Sequence, residues 1–159
     1  MSQPMMTPRG SEIDQLWRKY AADLLRFAGL LVGPSDADDI ATEAFLGACR
    51  SALGPSVRDP RSYLLGAVAN HAMSFRRSRE RRWRRDLAAV GPNATDSVDE
   101  FADVRHAVAR LRVVQRSVIY FAFWEDLPER AIAELLGVSP GTVHRNLTRA
   151  KALLRKALQ

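Results

Sequence analysis

The chain has 159 residues, enough for one domain or two small ones, and almost half are hydrophobic, so a core is available. Lys and Arg number 24 against 18 Asp and Glu, and the net charge of +6 favours a polyanionic partner, nucleic acid before membrane. The single cysteine, Cys49, excludes an intramolecular disulfide framework; His71, His106 and His144 stand too far apart for a metal-ligand spacing; and with no signal-peptide pattern or bilayer-length apolar run, a cytoplasmic protein without a membrane segment is expected.

Residues 1–10 hold two prolines, a glycine and three methionines and read as a disordered start. Ser11 suits a helix cap, and Ile13, Trp17, Tyr20, Leu24 and Leu31 recur at helical spacing to about Val32. Gly33-Pro34 breaks the chain. Ser35 then caps a second helix opened by Asp36, Asp38 and Asp39. Three carboxylates could serve acid–base chemistry or a metal. However, acids at a helix start complement its dipole, and no further His or acid cluster completes a site. The second helix is expected to bury Ile40, Ala41, Ala44, Phe45, Ala48 and Ala52. Its other side carries Asp39, Thr42, Glu43, Leu46 and Arg50, and Leu46 amid these charges looks like the anchor of a partner-binding face.

Leu53 to Pro60 reads as a loop, followed by a third helix from about Arg61 to Arg79. Leu64, Val68, His71 and Phe75 form its expected core stripe, with His71 as a packed residue. Another face collects Tyr63, Gly66, Asn70, Ser74 and Arg77, a mixture of aromatic, amide and base that suits single-stranded nucleic acid. The run Arg76 to Arg85 continues it with Trp83 interleaved, which favours nucleic-acid contact over a merely solvated face. Asp86 to Glu100 is acidic and poor in large apolar residues, and reads as a flexible linker. Beyond it, Val104, Val108, Leu111 and Val114 would line one helix, and Val118, Ile119, Phe121 and Phe123 the next. There is no strand alternation, internal repeat or Gly-rich phosphate loop.

The last stretch, Leu127 to Leu158, has the grammar of a helix-turn-helix. Pro128 suits the first turn of a short helix, and Ala131, Leu135 and Leu136 give it an apolar side. Gly137 ends it, and Ser139-Pro140 caps and opens the next. That helix repeats Val143, Leu147, Ala150 and Leu154 as one buried stripe. Thr142, His144, Arg145, Thr148 and Arg149 lie away from the stripe, where a major-groove helix meets base edges and phosphates.

In their order, Asp36–Arg50, Arg61–Arg77 and residues 127–151 resemble three motifs of the ECF subfamily of the sigma-70 family, small sigma factors of bacterial RNA polymerase. The resemblance spans about residues 13–158. It departs at Thr42, where glutamine is usual; at Cys49, where an aromatic is frequent; and at Tyr63, where tryptophan is common. Ser74 stands in place of a frequent acid, and His144 in place of lysine or arginine. The resemblance implies an all-α chain of two small helical domains joined by a flexible linker: region 2 over 11–85, the linker over 86–100 and region 4 over 101–159, with no added C-terminal domain. It implies a binding subunit rather than an enzyme, with no cofactor and no metal. Asp39, Thr42, Glu43, Leu46 and Arg50 would bind the clamp helices of the polymerase's largest subunit, and the flap is a second expected contact. Tyr63, Asn70, Ser74, Arg76 and Arg77 would contact the −10 element, and Thr142, His144, Arg145, Thr148 and Arg149 the −35 element. An anti-sigma factor is an expectation from the family. The rival reading is a helix-turn-helix regulator whose N-terminal helices dimerise or bind a ligand, but such a domain has no need of the basic Asn70–Arg85 segment. A nucleic-acid-processing enzyme would need a clustered carboxylate, His or Cys site that the sequence lacks.

Overall fold

The structure, a computed structural model, describes residues 10–51, 53, 57–89 and 102–159, and within 76–89 the backbone alone. Every regular element in them is a helix: α1 (Gly10–Val32), α2 (Pro34–Ser51), α3 (Pro60–Ala89), α4 (Ala102–Ala109), α5 (Val113–Phe123), α6 (Glu129–Leu136) and α7 (Pro140–Ala157). The chain divides into two compact units, Met1–Ala72 and Met73–Gln159, and the division falls inside α3.

In the first unit one residue separates α1 from α2. Gly33 takes φ +86° and donates its N–H to Gly29 O at 2.9 Å, and Pro34 opens α2 at once. Pro34 lacks an N–H and its φ is already helical, so α2 starts there and not after Ser35. Ser35 therefore lies in the first turn rather than capping it, and Ser11 likewise falls within α1. The α1–α2 interface buries Tyr20, Leu24, Phe27, Ala28 and Leu31 from one side and Ile40, Ala41, Ala44, Phe45 and Ala48 from the other. The alanines allow close approach, and Trp17 meets Phe45 with ring centroids 5.0 Å apart at 58°. Ala52, expected in this core, lies outside the described residues.

Asp59 starts α3. Its carboxylate accepts the Ser62 N–H at 3.2 Å and the Ser62 hydroxyl, a helix cap inside what reads as loop. Arg61 Nε donates to Asp23 Oδ2 at 3.0 Å and ties α3 to α1. Among the described side chains of α3, Leu64, Leu65, Val68, Ala69 and Ala72 are buried, and His71 and Phe75 are only half-buried. His71 packs over Gly47 of α2, where an added Cβ would lie 3.8 Å from the ring. The helix runs to Ala89, ten residues past its expected end, and takes in the first four residues of the expected linker. The cause is composition: Arg79–Ala89 is rich in strong helix formers and meets no Gly or Pro before Gly91-Pro92. The rest of that stretch, 90–100, and the expected disordered start, 1–9, lie outside the described residues.

In the second unit α4, α5 and α6 all pack on α7. The expected helix through Val104, Val108, Leu111 and Val114 is two elements. α4 stops at Ala109, and Val104 is 40% exposed while Ala107 and Leu111 are buried. Arg112 is extended, and its N–H donates to Gln115 Oε1 at 2.9 Å, which starts α5 afresh. Within α5, Val113, Val118 and Phe121 are buried, but Phe123 is 62% exposed, against expectation, because it sits at the helix end. Buried Ser117 donates its hydroxyl to Val113 O at 2.9 Å. Pro128 is the cap residue before α6 rather than part of its first turn. α6 buries Ile132, Ala133 and Leu136; Ala131 and Leu135 are only half-buried. Gly137 takes φ +63°, and Val138 N–H bonds Ala133 O at 3.1 Å, a Schellman ending. Ser139 Oγ accepts the Thr142 N–H at 3.2 Å, with Pro140 at the first position of α7. Val143, Leu147 and Ala150 are buried, and Leu154 half-buried.

Candidate nucleic-acid interface

Burying Val143, Leu147 and Ala150 against the unit turns the other side of α7 to solvent. His144, Arg145, Thr148 and Arg149 are all exposed, and Thr142 is half-buried. Thr142 organises the first turn. Its hydroxyl lies 2.9 Å from Ser139 Oγ and accepts from Arg145 Nη2 at 3.1 Å, while its carbonyl accepts from Asn146 Nδ2 at 2.9 Å. The Arg145 guanidinium is thus drawn along the helix toward its N-terminus, the end that enters the groove in helix-turn-helix docking. His144 Nδ1 lies 3.1 Å from Glu129 Oε1 on α6. Glu129 and Asn146 are absent from the sequence-based residue set. Asn146 follows the polar side of α7 and was within reach of that periodicity. Glu129 stands 15 positions before His144, and only the turn geometry brings them together.

On α2, Asp39, Thr42, Glu43, Leu46 and Arg50 are all exposed, and Leu46 retains 41% of its accessible surface. Arg50 Nε donates to Leu46 O at 3.3 Å, which lays its stem beside the leucine. On α3 the expected face is divided. Gly66 is buried and Tyr63 half-buried, because this end of the helix packs into the first unit; Asn70 and Ser74 are exposed. The side chains of Arg76, Arg77 and Trp83 lie outside the described residues.

Trp124 is 78% exposed and stacks on Tyr120 at 6.3 Å, and Lys151 Nζ lies 5.2 Å from the Phe123 ring centroid. The sequence places Phe123 in the core because its spacing continues the apolar run of α5.

The Ser62 hydroxyl, ahead of the opposing effect of burial, holds the Asp59 carboxyl below its ordinary value, as a cap would. Burial pushes the Cys49 thiol up, which disfavours the reactive thiolate. Among the described residues no group of His, Cys, Asp and Glu could hold a metal ion, and no helix is long and apolar enough to cross a membrane.

Residues 16–82 match Sigma-70 region 2, and residues 101–154 match Sigma-70, region 4. The chain is 33% identical over 150 residues to the ECF RNA polymerase sigma factor SigM of Mycobacterium tuberculosis, covering 91% of this chain and 76% of that protein. It is 30% identical over 155 residues to the RNA polymerase sigma-E factor of Streptomyces avermitilis, covering 93% and 86% respectively. The fold is similar to that of the sigma factor RpoE from Bartonella quintana, solved in complex with the anti-sigma factor NepR. That match has a TM-score of 0.68 at 20% identity and covers 93% of this chain and 97% of that one. It is also similar to CnrH, solved with the cytosolic domain of CnrY, with a TM-score of 0.60 at 22% identity over 93% and 88%. With both regions matched in order on one helical chain, and with such identity over most of its length, the chain belongs to the ECF subfamily of the sigma-70 family of RNA polymerase sigma factors.

Proposed function

We propose that the chain binds core RNA polymerase and directs promoter-specific initiation, reading the −35 element with α7 and opening the −10 element with α3. The observation that carries this reading is the pairing of two regions on one chain. A region 2 match contains α2 and most of α3, and a region 4 match contains a helix-turn-helix whose outer face is polar and basic. The rival regulator reading accounts for the second feature and not for the first.

Within this reading, Asp39, Thr42, Glu43, Leu46 and Arg50 dock on the clamp helices of the largest subunit, and the second unit meets the flap. Asn70, Ser74, Tyr63, Arg76 and Arg77 hold the −10 strand. Extruding a base costs a few kcal/mol of unstacking, which contacts from these residues must offset. Arg145, nearer the start of α7, reads a base edge, and Arg149 shares base and phosphate. Residues 11–85 and 101–159 are the two functional domains, and 86–100 threads the polymerase's RNA path. Catalysis belongs to the polymerase, the protein acts in the cytoplasm, and an anti-sigma factor is its expected regulator. A relative of the same fold was solved with such a partner, which supports this last point.

The test is reconstitution. Full-length protein added to sigma-free core polymerase should assemble a holoenzyme, and mapped transcript starts should align to two shared upstream elements. Failure to bind core polymerase, with DNA binding intact, would favour the regulator instead.

A further inference from the structure

His144 on α7 meets Glu129 on α6 across the turn. α6 and α7 are held together by Ile132, Leu136, Val143 and Leu147, all buried, and by the Gly137 turn. Glu129 occupies the first position of α6, and its Oε1 lies 3.1 Å from His144 Nδ1. The imidazole is otherwise open, with 68% of the side chain exposed on the face of α7 that carries Arg145, Thr148 and Arg149.

We propose that Glu129 is a positioning residue for His144 and that the pair reads an amino-bearing base, cytosine or adenine, at one position of the −35 element. The inference rests on the promoter-binding reading above. An ionised carboxylate only accepts hydrogen bonds, so Nδ1 must be the donor. In the neutral ring that leaves Nε2 as a bare acceptor. The proton is assigned by its partner, which the α6–α7 turn places beside the ring. In the major groove the groups that donate to such an acceptor are cytosine N4 and adenine N6, whereas guanine N7 and O6 and thymine O4 accept. Lysine or arginine at residue 144 could only donate and would choose guanine or thymine. The neighbouring Arg145 bonds Thr142 Oγ1 and leaves the carboxylate of Glu129 to the imidazole. Without Glu129 both tautomers are open to the ring, and an Nε2–H tautomer would donate to the opposite set of bases, guanine or thymine.

The experiment is a competition series with the reconstituted holoenzyme, at fixed salt and mildly alkaline pH, against promoters carrying every single-base change in the −35 element. The wild type should prefer cytosine or adenine at one position by about three- to tenfold. Glu129→Gln, whose amide can donate or accept, should flatten that position to within about twofold and leave the other positions as they were. His144→Ala should flatten the same position, and adding Glu129→Gln to it should change nothing further. His144→Lys should turn the preference toward guanine or thymine. Thermal melts of each variant separate a lost contact from a lost fold. A uniform loss across all promoters in folded Glu129→Gln, or a wild-type preference for guanine or thymine that His144→Ala removes, overturns the proposal. A wild-type holoenzyme that initiates from defined promoters yet is indifferent at every −35 position overturns it too. Failure to initiate at all overturns the sigma-factor reading itself.

Discussion

Asp59 closes the first turn of α3 through its two bonds to Ser62. Because Ser62 holds the folded carboxyl below its ordinary value of 3.8, the folded state binds that proton less readily than the unfolded chain does. The stabilisation is therefore fully present above the unfolded value and is lost as pH falls through the lower folded one. Asp59→Ala should cost about 1 kcal/mol at neutral pH, measured by urea unfolding, and the penalty should shrink in acid well below 3.8. A penalty that is flat with pH would remove the cap from the account. Two backbone positions make a second test. Asp126 and Gly137 both have positive φ, at 52° and 63°. A methyl group on Gly137 would meet nothing within 4 Å, so Gly137→Ala should cost about 1–2 kcal/mol through backbone conformation alone. Asp126→Gly should be neutral or stabilising by melting temperature, since it removes the same strain. The glycine was legible in the sequence because a helix stop of this kind is local. Asp126 was not, because its conformation is set by Leu127 N–H reaching back to Phe121 O at 2.9 Å.

Helix α2 has one buried and one exposed face. Ile40, Ala44, Phe45 and Ala48 are buried, while Asp39, Glu43, Leu46 and Arg50 are exposed. Leu46→Asp should leave the melting temperature within a few degrees of wild type and weaken holoenzyme assembly by about tenfold or more, because a charge replaces an apolar anchor at a desolvated contact. Normal core-polymerase affinity in that folded variant would remove Leu46 from the interface. This division was legible because α2 is long enough for its period to show. Short helices were harder. In eight-residue α6 the spacing from Ala131 to Leu135 fits a helix as well as that from Ile132 to Leu136, and only packing against α7 chooses the latter. Ile132 is fully buried, so Ile132→Ala should cost about 2–5 kcal/mol, read by denaturant unfolding of the second unit. The same limit explains α4 and α5: their apolar period runs on across the break, and the break depends on Gln115 closing onto the Arg112 N–H.

In the whole molecule the compact division and the change of composition fall at different places. The compact division falls at Ala72/Met73, inside a helix of 30 residues, whereas composition changes only after residue 85 and the region 4 match begins at residue 101. The core of α4 to α7 supplies an answer of its own. Leu111, Val113, Val118, Phe121, Ile132, Leu136, Val143 and Leu147 are all buried within residues 102–159. A segment of that size buries only about 60% of its unfolded surface, so its stability should be small but positive. Residues 101–159 alone should therefore unfold in one cooperative transition and bind −35 duplex weakly, with affinity that falls steeply as salt rises. Deleting them should spare core-polymerase binding by the remainder. The comparison that decides is between fragments 101–159 and 73–159. If both melt at the same temperature, the later half of α3 adds nothing to the second unit and the boundary lies beyond the helix. If only the longer one folds, the second half of α3 is part of that unit, and promoter opening and −35 reading share one folding unit.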